Sequence, residues 1–144
     1  MTDDINTMWS KDCKIDQANL TSEAKRIPEL HSKYYNLFFK EALRVKKLKS
    51  DLKELERAKI EYYNGSMCEE ELKERGWKPN PLKILRNDLD RYIQSDKDVI
   101  NLSLKIAFHE EQANYLESII RQINNRNFVI KSMLDFMKFQ AGEY

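Results

Sequence analysis

Apolar side chains recur every third or fourth residue along most of the chain, which is the spacing of one face of an α-helix. Between residues 29 and 63, with no proline or glycine, they fall on a single heptad frame: Tyr34, Phe38, Val45, Leu48, Leu52, Leu55 and Tyr62. A second frame comprises Val99, Leu102, Ile106, His109, Ala113, Leu116, Ile120 and Ile123. No segment alternates with the period of two typical of a half-buried strand. The pattern predicts an all-α protomer, a long helical hairpin or bundle with coiled-coil-like seams.

Capping residues and breakers divide the first half of this pattern. Residues 1–15 show no clear period and are expected to be loosely ordered. Asp16 is the expected N-cap of a short helix, and Pro28 suits the first turn of the long second helix. Asn64-Gly65 ends that helix, because both residues tolerate a positive φ. We expect one domain overall, with an N-terminal helical part at 16–65 that contains a long basic helix.

The remaining part, residues 66–144, is expected to hold C-terminal helices for packing and self-assembly. Ser66 and Glu69 form a capping box for a short helix closed by Gly76, and Asn80-Pro81 begins the next helix with Leu82 and Leu85 inward. Ser95-Asp96 starts a long helix that NNRN at 124–127 is expected to break. The last predicted helix, 128–140, is apolar on much of its circumference, so we expect it to be either core or an oligomer contact, and we favour the oligomer contact. The residues assigned to this contact are Phe128, Ile130, Met133, Leu134, Met137 and Phe139, alongside Phe136.

Composition agrees with long helices that bury one face. The chain has 144 residues, 34% of them charged, with three glycines and three prolines, which is typical of helical proteins that pack against partners. The N-terminus does not resemble a secretory signal, and no apolar run approaches the roughly 18 residues that span a bilayer. We therefore expect a cytoplasmic protein that does not enter a membrane, with Cys13 and Cys68 reduced.

The sequence offers little catalytic chemistry. His31 and His109 lie far apart and outside any metal-binding spacing, and His109 falls on the second heptad frame, where a packed histidine is the expected role. There is no glycine-rich phosphate loop. The carboxylates of Asp96, Asp98 and the run 69–71 are typical of solvated faces or helix N-termini. We expect neither an enzyme nor a cofactor or metal.

Charge is distributed unevenly along the chain. Residues 40–59 hold eight basic and four acidic side chains, a local excess of +4. Within them, Lys46, Lys49, Lys53 and Arg57 follow 3-4-4 spacing and share one helix face; Lys47 and Lys59 lie beside them. This run is also compatible with an ordinary solubilising face. The neighbouring Tyr62 and Tyr63 favour single-stranded nucleic acid, which combines phosphate contacts with stacking on aromatic rings. Tyr63 is the better candidate to face outward, since Tyr62 continues the seam.

Three motifs, in order, resemble the UvsY family of recombination mediators of T-even-type phages. They are RAKIEYYNG at 57–65, SDKDVI at 95–100 and RNFVIKSMLDFMKFQAG at 126–142. The resemblance implies a non-enzymatic, phage-encoded protein of the host cytoplasm that binds single-stranded DNA without sequence preference. It also implies contacts with a UvsX-type recombinase and the phage single-stranded-DNA-binding protein, and a ring-shaped homo-oligomer of six or seven subunits.

Carried over by position, the family's DNA-contacting pair falls on Arg57 and Lys59, and its self-assembly segment falls on the last helix. Residues 66–81 and the N-terminal segment depart from the family pattern, and Asn127 replaces the usual glycine. An alternative function stays open, a non-catalytic helical scaffold or adaptor that binds only protein partners through the acidic segment 96–123.

Overall fold

The computed structural model describes residues 2–80 and 82–143, and every regular element in these ranges is helical. The helices are α1 (Thr2–Asp12), α2 (Leu20–Tyr63), α3 (Glu69–Arg75), α4 (Arg86–Gln94) and α5 (Lys97–Gln140), with a 3-10 turn at Gln17–Asn19 before α2. The prediction of an all-α chain is thus confirmed. Two compact units group the chain differently from the expected division at residues 65 and 66. Unit 1 comprises residues 1–42 and 110–144, and unit 2 comprises 43–109.

Unit 1 contains the main apolar core. Its members come from α1, the start of α2 and the second half of α5: Ile5, Leu30, Tyr34, Leu116, Ile119 and Ile123. Burial of such side chains contributes about 1.5–3 kcal/mol each. This core explains why the unit is held together by residues from both ends of the chain.

The expectation that residues 1–15 are loosely ordered is wrong, because α1 packs on this core. Ile5 is buried, and Trp9 meets the ring of Tyr34 edge-on at 5.4 Å between centroids. Asp12 accepts hydrogen bonds from the Lys33 ammonium at 2.7 Å and from the Tyr34 hydroxyl at 2.8 Å. These tertiary contacts order a helix whose own sequence has a weak period.

Helix α2 is continuous through Pro28, so the prediction of two helices there is wrong. Asp16 does act as a cap, but for the 3-10 turn, by accepting from the Ala18 N–H at 3.0 Å. An interior proline costs roughly 3 kcal/mol, and burial of Leu30 and Tyr34 just beyond it offsets that cost. The helix ends at Tyr63, as predicted, and Gly65 follows with φ of 81°.

Within unit 2, two predicted helix starts are wrong. Cys68, not Ser66, is the N-cap of α3, and the Ser66 hydroxyl instead donates to Asn64 Oδ1 at 2.6 Å. The next helix begins at Arg86, and Leu82 and Leu85 are exposed. Asn80 caps a local turn through the Leu82 N–H at 3.3 Å, while Pro81 lies outside the described residues. Gly76 closes α3 as predicted, with φ of 70°.

Helix α5 begins after Asp96, as predicted, but does not break at NNRN. Asp96 Oδ1 accepts the backbone N–H groups of Asp98 and Val99 at 2.9 and 3.2 Å. Arg126 and Ile130 are both buried. Ile130 lies one heptad after Ile123 on the second frame, and Arg126 lies one heptad after the buried Ile119 beside that frame. The packed seam therefore carries the helix through a polar run.

Candidate nucleic-acid interface

Four exposed cations of α2 share one helix face in unit 2. We call Lys46, Lys49, Lys53 and Arg57 the basic face; all four are exposed, and so is Lys47. Arg57 keeps 64% of its side chain accessible while its Nη1 lies 3.2 Å from Glu61 Oε1, one turn along the helix. Such an exposed pair is weak, so the guanidinium can exchange this carboxylate for a phosphate.

Lys59 lies on the other side of the helix and is buried. Two residues correspond to about 200° of rotation, so Lys59 shares its face with the seam residues Leu55 and Tyr62 rather than with Arg57. Its side chain is only 5% accessible, and its Nζ lies 3.1 Å from Asp96 Oδ2 and 2.9 Å from Asp98 Oδ2.

Aromatic side chains complete the surroundings of this ammonium. The Trp77 ring lies with its centroid 3.8 Å from Lys59 Nζ, and the Tyr62 centroid lies 5.4 Å away. Tyr63 donates its hydroxyl to Asp96 Oδ2 at 2.6 Å. We call Lys59, Asp96, Asp98, Tyr63 and Trp77 the Lys59 cluster. Its cation–π and charge-assisted contacts satisfy a cation that would otherwise be costly to bury.

The cluster shifts the titration of two of its members. Burial opposes ionisation of Asp96, but hydrogen bonds from Tyr63 and Lys59 outweigh it and hold the pKa of this carboxyl below its usual value. Burial and the hydrogen bond to Asp96 raise the pKa of the Tyr63 phenol well above its ordinary value of 10.0. Asp96 is therefore an anion paired with Lys59 at neutral pH.

Two of the predicted DNA contacts lie outside the exposed basic face. Lys59 is enclosed, and Tyr63 belongs to the same cluster instead of facing outward beside the basic face. The segment after α2 folds back on this end of the helix, because Tyr62 donates to the Lys78 carbonyl at 2.6 Å and the Ile84 N–H donates to the Tyr63 carbonyl at 3.0 Å. The residues that sequence reasoning missed are Trp77, Asp96 and Asp98, although the last two belong to the motif SDKDVI.

The predicted oligomer contact is mostly open to solvent. Phe128, Leu134, Met137 and Phe139 are exposed, as is Phe136, and Met133 is half-buried. Ile130 is buried within unit 1, so we leave it out of the exposed surface considered below. We call the remaining residues, Phe128, Met133, Leu134, Phe136, Met137 and Phe139, the apolar C-terminal face.

The described residues form neither a metal centre nor a membrane span. Among residues 2–80 and 82–143, no group of three or more histidine, cysteine, aspartate or glutamate side chains is placed to hold a metal ion. No helix within the described part of the chain is long and apolar enough to cross a membrane.

The fold and the site define an all-helical protein with an exposed basic helix face. A family model described as recombination, repair and ssDNA binding protein UvsY matches residues 8–143. The chain belongs to this family.

A curated relative, the recombination protein uvsY of Enterobacteria phage T4, is 23% identical over 141 residues, covering 98% of each chain. Two crystal structures of the bacteriophage T4 recombination mediator protein UvsY have the same fold. One has a TM-score of 0.83 at 20% identity, covering 96% of this chain and 98% of that one. The other has a TM-score of 0.81 at 22% identity, covering 96% of each.

Proposed function

We propose that this protein is a recombination mediator that binds single-stranded DNA without sequence specificity. In this role it promotes the loading of a UvsX-type recombinase onto DNA covered by the phage single-stranded-DNA-binding protein, in the host cytoplasm and with no catalysis of its own. The observation that carries the proposal is the exposed basic face, in a chain matched along residues 8–143 by a single-stranded-DNA-binding family.

The basic face fits phosphates better than bases. Its members repeat every three or four residues along α2, and the predicted aromatic partner, Tyr63, is held in the Lys59 cluster. Contacts with phosphates fix a strand in place without reading its sequence. We therefore assign DNA contact to Arg57, Lys53, Lys49 and Lys46, with Lys47 beside them.

Self-assembly would multiply this modest surface. The apolar C-terminal face is unusual for an isolated subunit, and we propose that it joins copies of the chain into a ring-shaped hexamer or heptamer. Tethering several basic faces raises affinity through effective concentration without any new contact. A DNA strand held by several subunits is then available to the recombinase while the phage single-stranded-DNA-binding protein dissociates from it.

The DNA-binding part is tested by charge reversal with a matched control. Lys46→Glu with Lys53→Glu changes the charge by the same amount as Lys25→Glu with Lys105→Glu, which alters exposed lysines outside the basic face. We expect only the first pair to weaken binding to oligo-dT. Its plot of log affinity against log salt should also flatten by about 0.7 for each phosphate that the variant no longer binds. Equal weakening in both double variants would contradict the assignment.

The assembly part is tested by light scattering. Phe128→Glu with Phe139→Glu should lower the particle mass, because it places charges in the proposed contact. Leu85→Glu is the control, an equally exposed apolar residue in unit 2, and should leave the mass unchanged. If the parent chain were assembled but did not bind oligo-dT at low salt, the scaffold or adaptor function would replace the mediator function.

A further inference from the structure

A cavity of about 350 Å³ lies within unit 1 where α1, α2 and α5 meet. Its apolar lining consists of Ile5 and Met8 from α1 and Leu37 from α2. The polar lining is Asp4, Lys40, Glu41 and Gln112. None of these residues belongs to the basic face, the Lys59 cluster or the apolar C-terminal face, so the cavity shares no side chain with the surfaces already assigned a role.

Gln112 adds a buried hydrogen-bond acceptor to the lining of the cavity. The residue is only 7% exposed, and within the described part of the chain its Oε1 has no hydrogen-bond partner. A buried acceptor without a donor is costly. The last torsion of a glutamine side chain is soft, so the amide oxygen can turn toward a donor that enters the cavity.

The complementary ligand has a large apolar body and one N–H donor. Asp4 and Glu41 against Lys40 give the lining a net negative charge, which disfavours a phosphate-bearing nucleotide. An indole ring meets these demands, because it is apolar apart from a single N–H that only donates. Met8 adds an adaptable wall for such a ring.

A second copy of this chain does not supply the indole. Trp9 packs on Tyr34 in the core of unit 1, and Trp77 covers Lys59 in unit 2. We propose that the cavity binds a tryptophan side chain of a different protein, whose ring packs on Ile5, Met8 and Leu37 and whose indole N–H donates to Gln112 Oε1. Tryptophan is among the residues that dominate binding energy at protein interfaces.

The test uses the full chain with labelled methionine methyl groups, titrated separately with indole and 1-methylindole and followed by NMR. We expect a saturable shift at Met8 and none at Met67, which lies in unit 2. Without a donor, 1-methylindole should bind about fivefold to tenfold more weakly. An unaffected Met8, or equal affinity for the two probes, would overturn the proposal.

Two variants separate the acceptor from the apolar walls. Gln112→Met keeps a similar volume and removes the acceptor, so it should bind both probes equally. Leu37→Trp should fill the cavity and abolish both interactions. The proposal is decided by the affinities of the parent protein for indole and 1-methylindole. It therefore stays testable even if one of these variants folds poorly.

The class of ligand is tested with N-acetyl-tryptophanamide, N-acetyl-phenylalaninamide and deoxyadenosine monophosphate. The first should shift Met8 at lower concentration than the second, because only the first carries a side-chain donor. Tighter binding of the nucleotide than of the tryptophan derivative would make the cavity a base-binding site and overturn the proposal. Failure of the whole protein to bind single-stranded DNA would contradict only the proposed function.

Discussion

Among the described residues, each unit buries one cation, and the two are held in different ways. In unit 2, Lys59 is a compact charge between two aspartates and an aromatic wall. In unit 1, Arg126 donates through Nη2 to Glu23 Oε2 at 2.8 Å and to the Lys14 carbonyl at 2.9 Å, and through Nη1 to the Cys13 carbonyl at 3.3 Å. We call Arg126, Glu23 and these two carbonyls the Arg126 cluster.

The difference follows from the shapes of the two cations. A planar guanidinium has several donors at fixed angles and can join a carboxylate to backbone carbonyls at once, whereas an ammonium is a point charge suited to an aromatic face. Arg126 thereby links α5 to the chain between α1 and α2, and Lys59 links the end of α2 to the start of α5. Lys59 and Arg126 both belong to motifs that the chain shares with the UvsY family. Experiments therefore have to separate their contribution to stability from any contribution to DNA binding or assembly.

Arg126→Leu should have the largest effect on stability. It leaves Glu23 buried with only Arg26 beside it, at 3.1 Å, and removes the donors to two carbonyls. Loss of one member of a buried ion pair lowers the free energy of unfolding by about 3–5 kcal/mol. Because Glu23 keeps its contact with Arg26, we expect a loss near the lower end of that range. Urea unfolding at fixed protein concentration measures it.

Arg126→Lys is the matched comparison, because it keeps the positive charge but loses the planar guanidinium with its several N–H donors. It should recover only part of the stability, since one ammonium cannot reach all three acceptors. If the lysine variant were as stable as the parent, charge alone would hold the cluster and the contrast between the two cations would fail.

Lys59→Met should cost less, about 1–3 kcal/mol. Asp98 is 53% accessible and can return to water, and Asp96 keeps the Tyr63 hydroxyl and two backbone N–H groups. The methionine stem also keeps contact with Trp77. A destabilisation as large as that of Arg126→Leu would show that the ion pair, not the aromatic wall, dominates this cluster.

Acid should weaken both clusters in the same direction. Burial opposes ionisation of Glu23 as it does for Asp96, yet hydrogen bonds from Arg126 and Arg26 hold the Glu23 pKa below its usual value. A depressed folded-state pKa stabilises the protein above the unfolded-state value, and this contribution is lost as the pH falls through the folded-state value. The stability difference between the parent and Asp96→Asn should therefore be largest near neutral pH and shrink as the pH falls below the usual range of an aspartate carboxyl. A constant difference would contradict the pairing.

Much of the fold was predictable because its seams are regular. Both heptad frames contain only buried or half-buried residues in the structure. The errors arose where a tertiary contact overrode a local signal. Pro28 and NNRN look like breaks, but the core on either side carries the helix through them. The position of Ile130, seven residues after Ile123, was the available sign that the seam continues.

The candidate site was predictable only in part. Spacing correctly placed Lys46, Lys49, Lys53 and Arg57 on one exposed face. The same geometry should have separated Arg57 from Lys59, because residues two apart face different sides of a helix. The aspartates and the tryptophan that enclose Lys59 are distant in sequence, so no local pattern indicates that they meet.

Arg57→Met should have the smallest effect on stability and the clearer effect on DNA binding. Its pair with Glu61 is exposed, and removing such a pair changes stability by at most about 1 kcal/mol. If Arg57 contacts a phosphate, the salt plot for oligo-dT should flatten by about 0.7 in this variant. Lys59→Met, which removes one cation two residues away, should leave that slope unchanged, because a buried ammonium releases no counterion from DNA. Equal flattening in both variants would show that the Lys59 cluster opens when DNA binds, and that Arg57 and Lys59 act as a pair in this protein.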